Sequence, residues 1–157
     1  MAAGAKVVAI FVSNPALGSI LAAMLASAPS LRVRTFESQL ALTTYMRLAP
    51  VDLIVADFDG EVPAHHLAMD LRSDTRLERR DFQLVALTSS VTPELKTVSV
   101  RCGIDEIILK PMSPKYLLER VLSRLARRAA AQTLRKPPAR QWPANVIPLF
   151  GQAPQPT

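Results

Sequence analysis

Short apolar runs alternate with amphipathic segments along most of the chain. Three of the runs, residues 6–12, 53–56 and 82–87, are almost continuously apolar, which is typical of strands buried on both faces of a sheet. The second run alternates apolar and polar residues and therefore predicts a half-exposed strand near an edge. The predicted strands are residues 6–12, 31–36, 53–56, 82–87 and 104–109.

The segments between these runs predict five helices. Most begin at a residue whose side chain can cap a helix. Three of those caps precede a proline, which is tolerated there because the N–H groups of the first turn have no partner within the helix. The capping residues are Asn14, Ser38, Thr92 and Ser113. In the second helix, spacing predicts an inward side that includes Leu40, Ala41, Tyr45 and Leu48.

Strands that alternate with helices at short loop lengths predict an α/β fold. Buried strands joined through helices imply a parallel sheet covered on both faces. Right-handed crossovers then leave few topologies, of which a doubly wound, flavodoxin-like five-stranded sheet in the order 2-1-3-4-5 suits a chain of this size.

Composition limits the class of protein. One cysteine, Cys102, excludes an internal disulfide framework and suits a reducing compartment. No apolar run approaches the roughly 20 residues that a membrane helix needs. The first run resembles a signal peptide, but Ser13, Asn14 and Pro15 interrupt it too early. We therefore expect a cytoplasmic protein.

The positive charge is concentrated near the carboxyl end. Of the net charge of +6, five units come from residues 126–157, which contain no acid, and residues 1–125 are nearly neutral. We predict a domain over residues 1–125, a basic extension of the last helix over 126–136 and a proline-rich tail over 137–157. The extension is either a solvated helix end or a docking surface. No recognisable DNA-binding motif accompanies it, so nucleic-acid binding is not expected.

The tail is too rich in proline to fold alone, yet it contains an apolar cluster. This cluster either packs back on the domain or docks in a groove of a partner, and we favour the partner. The predicted docking residues are Trp142, Ile147, Leu149 and Phe150.

Polar residues follow the first, third, fourth and fifth predicted strands, whose carboxyl ends should converge. Ser13 follows the first strand, Asp57 and Asp59 the third, Thr88 and Ser89 the fourth, and Lys110 the fifth. The carboxyl ends of parallel strands meet at one edge, where ligands bind in open α/β sheets. A carboxylate, a hydroxyl and an ammonium together suit phosphoryl transfer, in which the carboxylate attacks and the other groups stabilise charge.

These motifs make residues 6–125 resemble the receiver domain of two-component response regulators. The resemblance rests on DLIVADFD around Asp57, LVALTSS around Thr88 and GIDEIILKP ending in Lys110 and Pro111. It implies that Asp57 accepts a phosphoryl group, that Thr88 and Lys110 sense the phosphate, and that Pro111 follows a cis peptide bond. It also implies a sensor histidine kinase or phosphotransfer protein as donor and a protein as downstream target.

The chain departs from the family at the metal site. Receiver domains place two acids after the first strand to hold Mg²⁺, whereas Val12 and Ser13 occupy those positions here. Mg²⁺ prefers anionic oxygen ligands, so we expect weak binding by Asp57, with Ser13 and Asp59 as further candidates. The Asp59 carboxylate either reaches the ion or points to solvent.

A second departure concerns signalling. The position that is often aromatic in receivers is Ile107, so a switch that relies on an aromatic ring is excluded. The sequence therefore predicts a stand-alone response-regulator receiver, not a metabolic enzyme, that is phosphorylated in a phosphorelay. The alternative is a pseudo-receiver that signals without phosphorylation. A nucleotide- or flavin-binding enzyme would need a phosphate loop that the sequence lacks, and the oligomeric state, including a homodimer, stays open.

Overall fold

The computed structural model describes residues 4–130 in full and the helical backbone of residues 131–135. Within this range, five strands alternate with five helices, as the sequence pattern predicts. The elements are β1 (Lys6–Phe11), α1 (Pro15–Ala26), β2 (Leu31–Thr35), α2 (Gln39–Leu48), β3 (Leu53–Asp57), α3 (Ala64–Ser73), β4 (Gln83–Thr88), α4 (Pro93–Cys102), β5 (Glu106–Leu109) and α5 (Pro114–Arg135).

The strands form one parallel sheet in the order β2-β1-β3-β4-β5. The predicted fold class and strand order are therefore confirmed. The alternating strand β2 lies at one edge, as its pattern indicated. Asp57 is level with Leu87 across the β3–β4 pair, and Thr88 is level with Leu109 across the β4–β5 pair. This register brings the carboxyl ends of the three strands together.

The sheet separates two apolar cores. Strand β3 is buried along its whole length, because successive side chains point to opposite faces and both faces are covered. Leu53 and Val55 pack toward α1 and α5, whereas Ile54 and Ala56 pack toward α2 and α3. Strand β3 is therefore covered on both faces up to its last residue, Asp57.

The predicted inward side of α2 is wrong. Leu40 and Leu48 are 75% and 79% exposed, and the buried residues are Leu42 and Met46. Apolar residues lie on both the buried and an exposed side of this helix, so spacing alone does not determine which side faces the sheet. Tyr45 lies at the boundary, where its ring contacts Phe36 at 5.4 Å between centroids.

The helix α5 continues past the sheet and contacts its amino-terminal edge. Arg128, only 9% exposed, donates to the backbone oxygen of Asp52 and pairs with the Asp52 and Asp81 carboxylates. Arg79 pairs with the same two acids. The basic extension is therefore anchored to the domain at Arg128, a contact that neither interpretation of the sequence anticipated.

The division at residue 125 and the separate tail stay predictions, because residues 136–157 lie outside the described range. The proposed docking residues Trp142, Ile147, Leu149 and Phe150 are among them. Of the helices in the described part, none has the length and apolar character that crossing a membrane requires.

Candidate functional site

The site forms where β1, β3, β4 and β5 end. Asp57 is the last residue of β3 and Thr88 the last of β4, while Ser13 and Lys110 stand just beyond β1 and β5. The strands are parallel and adjacent, so these four residues reach the same edge although they are far apart in the chain. The Lys110–Pro111 peptide bond at this edge is cis.

Asp57 is a buried carboxylate, with 3% of its surface exposed. Its Oδ2 accepts hydrogen bonds from the Ser13 hydroxyl at 2.9 Å and the Ser13 backbone N–H at 3.3 Å. The Lys110 Nζ lies 3.6 Å from the same oxygen. Asp57, Ser13 and Lys110 are therefore brought together, as the sequence predicts, and the contacts concentrate on Oδ2.

Asp59 is the closer partner of Lys110. Its Oδ2 lies 2.6 Å from Nζ of Lys110 and accepts a hydrogen bond from the Ser89 hydroxyl at 3.0 Å. The hydrogen bond from Lys110 lowers the pKa of the Asp59 carboxyl, and partial burial opposes that shift without cancelling it. Sequence reasoning expected Asp59 to contact a metal or solvent and missed this ion pair.

Thr88 and Ile107 are engaged by groups other than the Asp57 carboxylate. The buried hydroxyl of Thr88 donates to the Ser90 backbone oxygen at 2.8 Å and accepts from the Ser90 N–H at 3.3 Å. Ile107, at the proposed switch position, is partly buried against the core on the α2–α3 face. The Thr88 hydroxyl is thus engaged within its own loop.

Gly60 closes the loop over the site. A Cβ atom at this position would lie 2.8 Å from Cβ of Ser13, which is closer than such atoms approach, and 3.4 Å from Oδ1 of Asp57. Only glycine lets the backbone come this near. Beside it opens a cavity of about 630 Å³, whose lining includes Val12, Ser13, Phe36, Asp57, Gly60 and Val62.

The oxygens near Asp57 suit a weakly held cation. Asp57 supplies one carboxylate, and the Ser13 hydroxyl lies beside it. The Asp59 carboxylate is already bound by Lys110 and Ser89. Among the residues that the structure describes, no group of three or more His, Cys, Asp or Glu side chains could hold a metal. One or two carboxylates plus substrate phosphate oxygens are a usual Mg²⁺ set, so these residues fit Mg²⁺ only as a weak site.

Solved structures of response regulators resemble this chain. A response regulator from Thermotoga maritima is 25% identical, with a TM-score of 0.66 over 78% of this chain and 98% of its own. A CheY-like receiver domain protein from Methanospirillum hungatei JF-1 is 17% identical, with a TM-score of 0.71 over 82% and 99%. The chain has the receiver-domain fold. No protein-family model matches the sequence, and neither does any curated protein.

The predicted resemblance to receivers is therefore confirmed for the fold. The roles of individual site residues stay predictions. Within this receiver fold, two features escaped sequence reasoning, the Asp59–Lys110 pair and the contact of Gly60 with Ser13. For the Asp59–Lys110 pair, the only signal in the sequence was a second acid two residues after Asp57. For the contact of Gly60 with Ser13, it was a glycine directly after Asp59.

Proposed function

We propose that this chain acts as a response-regulator receiver in phosphorelay signal transduction, through phosphorylation of Asp57 and protein–protein contacts. The observation that carries the proposal is the position of Asp57 at the end of a fully buried strand, with the Lys110 ammonium 3.6 Å from its carboxylate. This arrangement pairs a nucleophile with a cation that can neutralise the charge of a phosphoryl group.

Asp57 Oδ1 is the oxygen that we assign to the attack, because Oδ2 accepts the hydrogen bonds from Ser13. A bond forms between Oδ1 and phosphorus while the bond from phosphorus to the leaving group breaks. The leaving group is the imidazole of a phosphohistidine, which takes a proton from water, or acetate when acetyl phosphate is the donor. Lys110 neutralises charge on the transferred group, and the Ser13 donors hold the carboxylate in place.

Thr88 would sense the product. Its hydroxyl is committed to Ser90 in the unmodified protein, so bonding to a phosphoryl oxygen requires it to leave the Ser90 carbonyl. That exchange would move the loop before α4. Because Ile107 replaces the aromatic residue frequent in receivers, this loop is the route that we propose for the signal.

Mg²⁺ is the proposed cofactor, held weakly. The Asp57 carboxylate and the Ser13 hydroxyl would hold it. When bound, Mg²⁺ neutralises charge on the phosphoryl group. Asp59 would join these ligands only if Lys110 released it. The proposed setting is the cytoplasm, with a sensor histidine kinase or phosphotransfer protein as donor, a protein target downstream and a homodimer as an open alternative.

The rival function is a pseudo-receiver that binds partners without phosphorylation. The observation that favours it is that the polar groups of the site already have partners within the protein. Asp57 Oδ2 accepts a hydrogen bond from Ser13, and Lys110 is paired with Asp59. Such a protein would use the surface of the receiver fold to bind partners. Its signal would then depend on how much of the protein is expressed or on binding alone.

Intact-mass spectrometry after incubation with acetyl phosphate and Mg²⁺ separates the two functions. We expect an adduct with the mass of one phosphoryl group in the wild type and none in Asp57→Asn. The substitution keeps the shape of the side chain and an oxygen that accepts from Ser13, so it is a matched control. If no adduct forms at high Mg²⁺ with acetyl phosphate or a cognate kinase, the phosphorelay proposal is wrong and the pseudo-receiver stands.

A further inference from the structure

Lys110 is shared unequally by two acids. Its Nζ lies 2.6 Å from Oδ2 of Asp59 and 3.6 Å from Oδ2 of Asp57. The shorter distance is that of a charge-assisted hydrogen bond, whereas the longer one is an ion pair without a direct bond. In the unmodified protein, the cation at the phosphorylation site is therefore bound mainly to Asp59.

Asp59 is also fixed from its other side. The Ser89 hydroxyl donates to the same Oδ2 at 3.0 Å, so this single oxygen joins the ends of β3, β4 and β5. The Lys110 backbone N–H donates to the Thr88 backbone oxygen at 2.7 Å, and this hydrogen bond also links the backbones at the ends of β4 and β5. The Asp59 carboxylate is about a third exposed, and it can lose Lys110 without becoming a buried unpaired charge.

We propose that Asp59 is a positioning residue that holds Lys110 away from Asp57 and thereby slows phosphorylation of Asp57. This role rests on the proposed function. A phosphoryl group on Asp57 must draw Lys110 from Asp59, and it brings negative charge close to the Asp59 carboxylate. Both effects oppose the modified state. Once Lys110 has moved, Asp59 keeps Ser89 as its partner, and the loop that begins at Ser89 loses its link to the Lys110 side chain.

The opposite role for Asp59 predicts an opposite result. If Asp59 were a Mg²⁺ ligand, as its position in the sequence allowed, its removal would weaken the metal site and slow phosphorylation. If Asp59 competes for Lys110, its removal frees the cation for the phosphoryl group and accelerates phosphorylation. The sign of the change therefore decides between the two roles.

The test compares the initial rate of adduct formation from acetyl phosphate, at saturating Mg²⁺, in wild type, Asp59→Asn and Glu61→Gln. Glu61 is an exposed acid of the same loop, so its variant loses the same charge without loss of the Lys110 pair. We expect Asp59→Asn to be faster by about three- to tenfold, the factor that corresponds to one ion pair of modest strength. Glu61→Gln should change the rate by less than about twofold.

Each outcome has a distinct meaning. A slower Asp59→Asn would assign Asp59 to the metal and overturn the positioning role. If both variants were phosphorylated faster than the wild type by the same factor, the effect would come from net charge alone, and the positioning role of Asp59 would again be overturned. Adducts at equal rates in all three proteins would remove only the role of Asp59, whereas no adduct in any of them would remove the proposed function itself.

A double-mutant cycle tests the pair without phosphorylation. The unfolding equilibrium is measured for wild type, Asp59→Asn, Lys110→Gln and the double variant. We expect the two substitutions to be non-additive, with a coupling of about two- to fivefold in the unfolding constant. Additive effects would show that the 2.6 Å contact carries no interaction in solution, and the proposal would then be wrong.

Discussion

The two ends of β3 carry buried acids with opposite surroundings. Asp52 lies just before the strand and Asp57 ends it, and they are 7% and 3% exposed. Asp52 accepts from the Val7 backbone N–H at 2.8 Å and pairs with Arg79 and Arg128. Asp57 has Ser13 and, at 3.6 Å, a lysine that is bound more closely to another acid.

The same contrast extends along both edges of the sheet. At the amino-terminal edge, Asp105 is paired with Arg72, and Glu106 is paired with two further arginines. At the carboxyl-terminal edge, Asp57 and Asp59 share Lys110. Guanidinium groups present a rigid planar set of donors, whereas an ammonium is a mobile point charge. The acids at the first edge are therefore held by rigid groups, whereas the two acids at the second edge share one mobile cation.

The largest difference should appear when each buried acid becomes its amide. Asp52→Asn leaves Arg128 buried with a single acid, and we expect a loss of about 3–5 kcal/mol in the free energy of unfolding. Asp57→Asn keeps an acceptor for Ser13 and removes a poorly neutralised charge, so its change should stay within about 1 kcal/mol. Urea denaturation at pH 7 measures both. Equal losses would refute the contrast between the two edges.

Arg72 tests whether the amino-terminal edge depends on guanidinium geometry. Its side chain donates to three backbone oxygens, pairs with Asp105 and lies 4.0 Å from the centre of the Phe82 ring. The three oxygens belong to Arg80, Phe82 and Gly103. The single ammonium group of lysine cannot reproduce the planar set of guanidinium donors. We therefore expect Arg72→Lys to cost about 2–3 kcal/mol in the free energy of unfolding.

The matched control is Arg76→Lys, at a side chain that is 71% exposed. It should change the free energy of unfolding by less than about 0.5 kcal/mol, since exposed pairs contribute little. If Arg72→Lys is equally mild, a positive charge alone suffices at this edge.

Much of the site could be predicted because it follows from backbone geometry. Buried apolar runs fix the parallel sheet, and a parallel sheet sends the ends of all strands to one edge. Asp57, Thr88 and Lys110 need only be at those ends to become neighbours. The edge that these residues reach does not depend on their side-chain conformations, so their proximity can be predicted from the strand pattern alone.

What could not be predicted depends on side-chain direction or on the position of whole helices. The Asp59–Lys110 bond requires both side chains to turn toward each other at a loop. The Arg128 anchor requires α5 to extend beyond the sheet until it reaches Asp52, which a helical pattern alone does not specify. The predicted inward side of α2 is wrong because apolar residues lie on two sides of the helix, and packing against the sheet selects Leu42 and Met46.

Gly60 is a tightly packed position at the carboxyl-terminal edge. In Gly60→Ala the new methyl group meets Cβ of Ser13 at 2.8 Å, and neither atom can rotate away. We expect a loss of about 1–3 kcal/mol in the free energy of unfolding. In a Ser13→Gly background, which lacks that Cβ and also the hydroxyl that binds Asp57, the same Gly60→Ala change should cost much less, whereas Gly4→Ala, with open space around it, should have no comparable effect. An equal cost of Gly60→Ala in both backgrounds would place the strain elsewhere.

Glu106 sharpens the comparison through pH. Its carboxylate accepts from Arg120 at 2.6 and 2.8 Å and from Arg124 at 2.8 Å. Burial alone would raise the pKa of Glu106, but the hydrogen bonds and charges of the two arginines outweigh it and hold the pKa below the ordinary 4.5. A lowered pKa means that the unfolded chain binds the proton first. The stabilisation by Glu106 is therefore complete above pH 4.5 and is lost as the pH falls through the folded-state value.

Glu106→Gln keeps the shape of the side chain and removes the titration. We expect it to cost about 1–2 kcal/mol in the free energy of unfolding at pH 7, because the acid is partly buried between two arginines. Urea titrations of wild type and variant between pH 7 and pH 3 should converge as the pH falls below 4.5. A gap that persists unchanged at pH 3 would mean that the ionised form of Glu106 is not the source of the stabilisation, and the contrast between arginine-bound and lysine-bound acids would lose its electrostatic basis.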